Sequence, residues 1–363
     1  MRNFKKIISV ILTLTLLLGT VSLVSGAELW KGKTVSSLSF ATLSDPHYYP
    51  DSLTGGNCAA YQDYCKGSTK LYPQSETIIR TAIETMARRN PDLKYVFVPG
   101  DLTKDSEYEA HTGLAEIFLE YEEKYGLEFL VTTGNHDVNT TNATTFENGK
   151  EEQGRGITSD EFRKVYADLG YDLAFETYEE YYAKTYPGES TDVRNKLSYV
   201  ADLDENYRLI VMDSCVYSFG APEKQHTGGE ISEEAMKWIK GLADDANEKG
   251  KTLMIMLHHG LAAHMETEPS ITFAFPLDNY LEVAEQFASW GIHYAFSGHL
   301  HTDDAACTIN DDGEVLYDFE TASITGYPCT YREMTLTTFE NGESEMEAQS
   351  VDFDAAYEYS YGG

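Results

Sequence analysis

The chain has 363 residues, 42% of them hydrophobic, enough for a substantial core in one large α/β domain or two ordinary ones. Its formal charge is −33, from 27 Lys and Arg against 60 Asp and Glu. So acidic a surface repels the phosphates of DNA, RNA and anionic membranes, which excludes nucleic-acid binding through a basic face.

The first 27 residues stand apart. Arg2, Lys5 and Lys6 make a basic start, Ile7 to Val24 is almost wholly apolar, and Ser25-Gly26-Ala27 offers small residues for cleavage. That is the pattern of a secretory signal peptide over residues 1–27, with Glu28 as the mature N-terminus. The apolar run is also about as long as a membrane span, so an uncleaved anchor is the alternative, and membrane contact is expected only in that case. Either way the protein is expected to be exported, secreted or held at the cell surface. The five cysteines, Cys58, Cys65, Cys215, Cys307 and Cys329, form no CxxC pair, which argues against a thiolate zinc site. In an exported chain Cys58 with Cys65, and Cys307 with Cys329, are candidate disulfides, leaving Cys215 unpaired. Asn139 and Asn142 each head an Asn-x-Thr glycosylation acceptor, relevant only in a host that glycosylates.

Ser37 to Leu43 predicts a strand ending in Ser44-Asp45-Pro46-His47. Residues 48–73, rich in Tyr and Gly, predict a loop. Gln74 to Arg89 predicts a helix, because Ile78, Ile79, Ala82, Ile83 and Met86 recur at helical spacing and Asn90-Pro91 stops it. Tyr95 to Val98 is a short, fully apolar strand closed by Pro99-Gly100-Asp101, and Ser106 to Tyr125 a second helix stopped by Gly126. Phe129 to Thr132 is a buried strand running into a turn at Gly134 that presents Asn135, His136 and Asp137 together. Asn135 offers an amide oxygen, His136 an imidazole, and Asp137 a carboxylate placed to orient that imidazole.

Val138 to Ser159 reads as a polar loop and Asp160 to Leu169 as a helix. Tyr171, Tyr178, Tyr181, Tyr182 and Tyr186 follow among acidic residues; they either rim a substrate site or pack half-buried with their hydroxyls in water. Leu197 to Leu203 and Tyr207 to Asp213 predict a hairpin across Asp204-Glu205-Asn206. Ile231 to Asn247 is an amphipathic helix leading into the strand Thr252 to Leu257, which ends in His258-His259-Gly260. After a loop to Pro276 come a helix, Leu277 to Trp290, and a strand, Ile292 to Phe296, ending in Ser297-Gly298-His299-Leu300-His301. Strand patterns then alternate with turns at Asp311-Asp312-Gly313 and Asn341-Gly342. With no repeat and no Pro/Ser-rich linker, residues 28–352 are expected to form one domain and residues 353–363 a tail.

Strands alternating with helices, with polar residues at each strand's C-terminal end, are the grammar of an α/β sheet whose sites lie beyond those ends. Five such ends carry candidate metal ligands: Asp45 and His47; Asp101; Asn135; His258 or His259; and His299 with His301. Alternate residues of an extended segment point the same way, so His299 and His301 can face one site. Imidazole, carboxylate and amide oxygen without sulfur suit Mn, Fe, Zn or Co. About seven ligands suffice for two such ions bridged by a carboxylate, the arrangement used for in-line displacement at phosphorus.

Asp45-x-His47, Gly100-Asp101, Gly134-Asn135-His136-Asp137, His258-His259 and Gly298-His299-x-His301, in that order, resemble the calcineurin-like metallophosphoesterase superfamily. The resemblance spans Asp45 to His301. It implies a four-layer α/β/β/α sandwich, two mixed sheets packed face to face and flanked by helices. It further implies that Asp45, His47 and His301 hold one divalent ion, that Asn135, His258 and His299 hold the other, and that Asp101 bridges. His258 is the member of its pair that matches the family's ligand, leaving His259 to support it or to face substrate. His136 is then the acid that protonates the leaving group, with Asp137 as its partner, while the ions activate a bridging hydroxide. One departure is Gly260, where a proline often follows the histidine pair; it puts the shape of that loop in question.

The expected activity is hydrolysis of a small-molecule or polymeric phosphoester, a diester first and a monoester of phosphatase or nucleotidase type second. The reading from another class is a metal-binding surface protein without turnover, for which neither His136 nor Asp137 would be needed. The intervening loops specify no substrate.

Overall fold

The computed structural model describes residues 32–138, 140–181, 193–216, 227–265 and 275–352. The expected leader, the tail 353–363, the Asn139 acceptor, Tyr182 and Tyr186 lie outside the described residues. Contacts divide the chain into a larger unit, residues 39–334 with 348–352, and a smaller one, residues 32–38 with 335–347.

Two large mixed sheets flanked by helices form the architecture. The first has five strands in the order β14-β13-β1-β2-β3: β1 is Thr34–Thr42, β2 Tyr95–Val98, β3 Glu128–Val131, β13 Thr330–Phe339 and β14 Ser344–Asp352. Within it β1, β2 and β3 run parallel, with Phe40 opposite Tyr95 and Val96 opposite Phe129. The second has seven strands: β6 Ala174–Tyr181, β7 Val193–Asp202, β8 Tyr207–Val211, β9 Thr252–Met256, β10 Tyr294–Ser297, β11 Asp304–Ile309 and β12 Val315–Glu320. Its order is β11-β12-β10-β9-β8-β7-β6, with β8, β9, β10 and β12 parallel and both edges antiparallel. A two-stranded ribbon, β4 Thr144–Thr145 with β5 Glu152–Gln153, lies in the segment read as a polar loop.

Within the larger unit the sheets meet through aromatic side chains. Phe40 and Phe97 stack with centroids 4.4 Å apart, and Phe296 of the other sheet stands 5.0 Å and 5.5 Å from them. Buried polar groups cross the same layer with partners: Tyr199 Oη donates to the Val131 carbonyl (3.1 Å) and Thr132 Oγ1 to that of Met212 (3.0 Å). Helices close the outer faces. α1 is Ala59–Lys66, α2 Ser75–Arg89, α3 Tyr108–Tyr125, α4 Ser159–Val165, α5 Glu233–Lys249 and α6 Tyr280–Ser289. Phe118 of α3 stacks on Phe129 at 4.3 Å, while Ile239, Leu242, Val283 and Phe287 of α5 and α6 share one core with Ile255 and Leu316. In the smaller unit Ser36 Oγ and Thr338 Oγ1 are 2.6 Å apart, and the Asn341-Gly342 turn closes with Glu343 N–H on Asn341 Oδ1.

Several boundaries differ from the sequence reading for local reasons. Ser106 has φ +75, outside the right-handed helical region, so α3 begins only at Tyr108. Residues 48–73 are not a plain loop: they hold α1 and two short 3-10 turns, packed around Tyr49, Tyr61, Tyr72 and Phe146. Tyr171 and Tyr178 pack rather than rim a cleft, one buried against Tyr199 and the other stacked on Trp238. All five cysteines are free thiols. Cys58 precedes α1 and Cys65 lies two turns along it, a rise of roughly 10 Å, beyond the roughly 7 Å between Cα atoms that a disulfide spans.

Candidate dimetal centre

Every candidate ligand sits just past the C-terminal end of a parallel strand: Asp45 and His47 after β1, Asp101 after β2, Asn135 after β3, His258 after β9, His299 and His301 after β10. Their backbones carry strain. Asp45 (φ +47), His47 (+40), Asp101 (+48), His299 (+77) and His301 (+62) are five of the eight described non-glycine residues with positive φ. Each such residue costs on the order of 1–2 kcal/mol, sustained here by close packing and backbone ties such as His47 N–H to the Asp101 carbonyl (3.0 Å). Two glycines of the motifs are demanded by close approach. A Cβ on Gly134 would stand 2.2 Å from Asp101 Oδ1, and one on Gly298 2.3 Å from Asp45 Oδ2.

The ligand atoms converge in two groups that share Asp101. Asp45, His47, Asp101 and His301 form one; Asp101, His258 and His299 form the other; within each, the ligand atoms lie within 4.8 Å of one another. His301 Nε2 is 3.1 Å from Asp45 Oδ1 and 3.3 Å from His47 Nε2, and His47 Nε2 is 3.6 Å from Asp101 Oδ2. On the other side His258 Nε2 is 3.4 Å from Asp101 Oδ1 and 3.2 Å from Asn135 Oδ1. His258 Nδ1 lies 2.8 Å from the Pro99 carbonyl, an acceptor, so Nδ1 carries a hydrogen and Nε2 is the atom turned inward. Burial lowers the ring's proton affinity, but Asp101 outweighs that and raises its pKa to about 9, so a cation at Nε2 would take the place of a proton. Ring nitrogens facing one another and facing carboxylates, buried except at the 26% exposed His301 and without sulfur, fit divalent cations.

The electrostatics agree with that fit. Burial holds His47 well below the usual imidazole range, so it is neutral and able to ligate. Burial pushes Asp101 upward, but His258, His136 and His47 outweigh it and hold the carboxyl well below its usual value.

Of the consecutive His258 and His259, only the first faces the centre. His259 turns away, its Nε2 2.9 Å from the Thr227 carbonyl and its Nδ1 2.8 Å from Ser214 Oγ, and burial drives its pKa down to about 3. The loop at Gly260 is fastened by the buried Asp318, whose Oδ2 accepts the N–H groups of Leu261 (2.5 Å) and Ala262 (3.2 Å). A Cβ at residue 260 would sit 3.1 Å from that oxygen.

His136 stands at the edge of the centre, 26% exposed, with Nε2 3.9 Å from Asp101 Oδ2. The expected partner of this histidine is corrected here. Asp137 does not touch the ring; its carboxylate folds back to accept backbone N–H groups from Gly134 (2.7 Å), Thr103 (3.0 Å) and Leu102 (3.1 Å), which ties the β3 turn to the loop after β2. The partner is Asp105, whose Oδ1 is 2.7 Å from His136 Nδ1, with the Lys104 carbonyl 2.9 Å from the same nitrogen. Lys104 in turn buries its ammonium against Asp105 Oδ2 (2.7 Å) and Thr144 Oγ1 (2.8 Å). Neither residue was singled out from sequence. The available signal was an acidic residue four positions after Asp101, in the loop that must face the β3 turn.

A family model described as calcineurin-like phosphoesterase matches residues 38–303. Among solved structures, a dimetal phosphatase from Danio rerio superposes with a TM-score of 0.52 at 13% identity, covering 88% of this chain and 100% of that one. A purple acid phosphatase from yellow lupin seeds follows with a TM-score of 0.49 at 13% identity, over 89% of this chain and 54% of that one. No curated protein matches the chain.

Proposed function

The chain belongs to the calcineurin-like phosphoesterase family, and from that premise we propose that it is an exported phosphodiesterase. The observation that carries this reading is the buried Asp101, common to two groups of nitrogen and oxygen ligands, with the Asp105-supported His136 beside it. Asp45, His47 and His301 would hold one divalent cation and Asn135, His258 and His299 the other, with Asp101 between. When bound, the pair supplies a hydroxide nucleophile at neutral pH and neutralises phosphoryl charge.

The chain's own residues supply the acid. Burial alone would lower the proton affinity of His136, but Asp101 and Asp105 outweigh it and raise its pKa to about 9. In the metal-free chain the ring therefore carries both protons at neutral pH, and Asp105, which is not a candidate ligand, would keep it charged once cations occupy the centre. Nδ1 is committed to Asp105 and the Lys104 carbonyl, which leaves Nε2 as the nitrogen that would donate to the departing oxygen. Such a donor helps most where the leaving group is an alkoxide, as in diesters. A diester also brings one negative charge rather than two toward a chain of formal charge −33.

The test is a side-by-side hydrolysis assay on a chromogenic phosphodiester and its matching monoester, using the manganese-loaded protein. Faster diester turnover is expected. Faster monoester turnover would make it a phosphomonoesterase, and no turnover with Mn, Fe or Zn would favour a metal-binding surface protein instead. Export rests on the basic-apolar-small pattern of residues 1–27, and mass spectrometry of the mature protein should find Glu28 first.

A further inference from the structure

Lys104 is locked in place from every side. Its side chain is fully buried, and its Nζ lies 2.7 Å from Asp105 Oδ2, 2.8 Å from Thr144 Oγ1 and 3.4 Å from Glu107 Oε1. An ammonium has three hydrogens to donate, so these three acceptors occupy all of them. Two rings flank the group as well: the Nζ is 4.7 Å from the centroid of Tyr64 and 5.7 Å from that of Tyr49, both within cation–π range. Burial opposes the charge, but Glu107 and Asp105 outweigh it and keep the group protonated.

The cradle comes largely from α1 and β4, elements that carry no candidate ligand. Tyr64 lies on α1 and packs against the cluster of Tyr49, Leu53, Tyr61, Tyr72 and Phe146. Thr144 lies on β4, and its N–H donates to Glu107 Oε1 at 3.1 Å. Glu107 Oε2 in turn accepts the Asp105 N–H at 2.8 Å. Asp105 is thus held at its backbone N–H and at Oδ2, which leaves Oδ1 to meet His136 Nδ1 at 2.7 Å. The Asp105 side chain is 12% exposed, so without the lysine its carboxylate has water to turn toward.

We propose that Lys104 is a positioning residue for the acid: it pins Asp105 Oδ2 so that Oδ1 stays on His136 Nδ1, and α1 with β4 holds the lysine in place. A side chain that must keep one geometry needs neighbours that lock it, and a carboxylate gripped at one oxygen presents the other in a fixed direction. The role in acid catalysis rests on the phosphoesterase reading above; the tether itself does not.

The probe is the His136 Nδ1–H resonance, read by NMR on the zinc-loaded protein with isotope-labelled histidine and assigned by its loss in His136→Ala. Zinc is diamagnetic and leaves the signal sharp. A proton held in a short charge-assisted bond resonates at low field. In Lys104→Met that signal is expected to move upfield or vanish through exchange, while the Nδ1–H of His293, bonded to the Val315 carbonyl at 2.7 Å just before β10, stays where it is. In the manganese-loaded ester assay the variant should lose about tenfold on an alkoxide leaving group and much less on a nitrophenolate one. A lysine that merely holds the fold would lower the melting temperature, leave the ring signal of the folded protein in place, and cut both esters alike. The double variant Thr144→Val with Tyr64→Leu keeps the ammonium but removes one acceptor and one ring. It should shift the same signal by less than Lys104→Met, and it decides the outcome if Lys104→Met does not fold. An unchanged His136 signal in folded Lys104→Met, or in the double variant where the single one does not fold, overturns the proposal and leaves the esterase reading standing. A shifted signal with no ester turnover by wild type keeps the tether and sinks the esterase.

Discussion

Asp105 Oδ1 lies 2.7 Å from His136 Nδ1, joining the loop after β2 to the turn after β3 across the edge of the centre. The contact fixes which ring nitrogen is occupied and helps keep the ring charged. Asp105 itself is pushed up by burial, but His136 and Lys104 outweigh that and hold it below its usual value, so it is ionised.

Asp105→Asn should therefore weaken the acid without emptying the centre. Activity on a diester with an alkoxide leaving group is expected to fall about 10–100-fold, within the range general acid catalysis contributes. Activity on a nitrophenolate ester, whose leaving group needs no proton, should fall far less. His136→Ala should show the same contrast more strongly, with both metals retained. Equal losses on good and poor leaving groups would remove His136 from the acid role.

Asp137 is predicted to behave differently from Asp105 although it adjoins His136. Its carboxylate satisfies three backbone N–H groups in a fully buried turn. Asp137→Ala strands those donors, each costing about 1–3 kcal/mol, so the variant should lose several kcal/mol in urea unfolding. Asp105→Asn should lose much less. A fully stable Asp137→Ala protein with a selective defect on poor leaving groups would restore Asp137 to the acid pair.

Asp101 is shared by both ligand groups, so its loss should be felt by both metals. Asp101→Ala is expected to retain less than half the metal of wild type by elemental analysis, whereas Asn135→Ala, which removes a ligand from one side only, should lose mainly one equivalent. Full occupancy in Asp101→Ala would rule out the bridging position.

The parts of this site that were legible in the sequence share a physical cause. Parallel strands buried on both faces read as short apolar runs, as in Tyr95 to Val98 and Thr252 to Met256, and polar residues directly after such runs lie at the sheet's C-terminal edge. Asp45, His47, Asp101, Asn135, His258, His299 and His301 were singled out as candidate ligands that way, and the fold brings them together. Asp105 was not, because its role comes from a contact 31 residues apart in sequence, while Asp137 adjoined the histidine and looked like its partner. A turn can send neighbouring side chains to opposite sides, and here it does. α1 was missed because Tyr61 is its only buried residue, which leaves no apolar period to detect.

Glu122, on α3, gives a pH dependence independent of the metals. Its Oε1 accepts the Phe129 N–H at 2.8 Å, yet burial, then Glu128 and nearby aspartates, raise its pKa to about 7. The folded state thus holds this proton more tightly than the unfolded state, whose glutamate titrates near 4.5. Between those values the folded protein binds more protons, so this residue's contribution to stability declines as pH rises, and its full penalty is present above about pH 7. The side chain is partly solvated, so after screening the penalty is about 1 kcal/mol. Glu122→Gln keeps an acceptor for Phe129 and cannot ionise. It should be more stable than wild type by that amount at pH 8 and by clearly less at pH 5, read as the difference between paired urea titrations. A difference that does not change with pH would mean that Glu122 is ionised in the folded protein throughout this range.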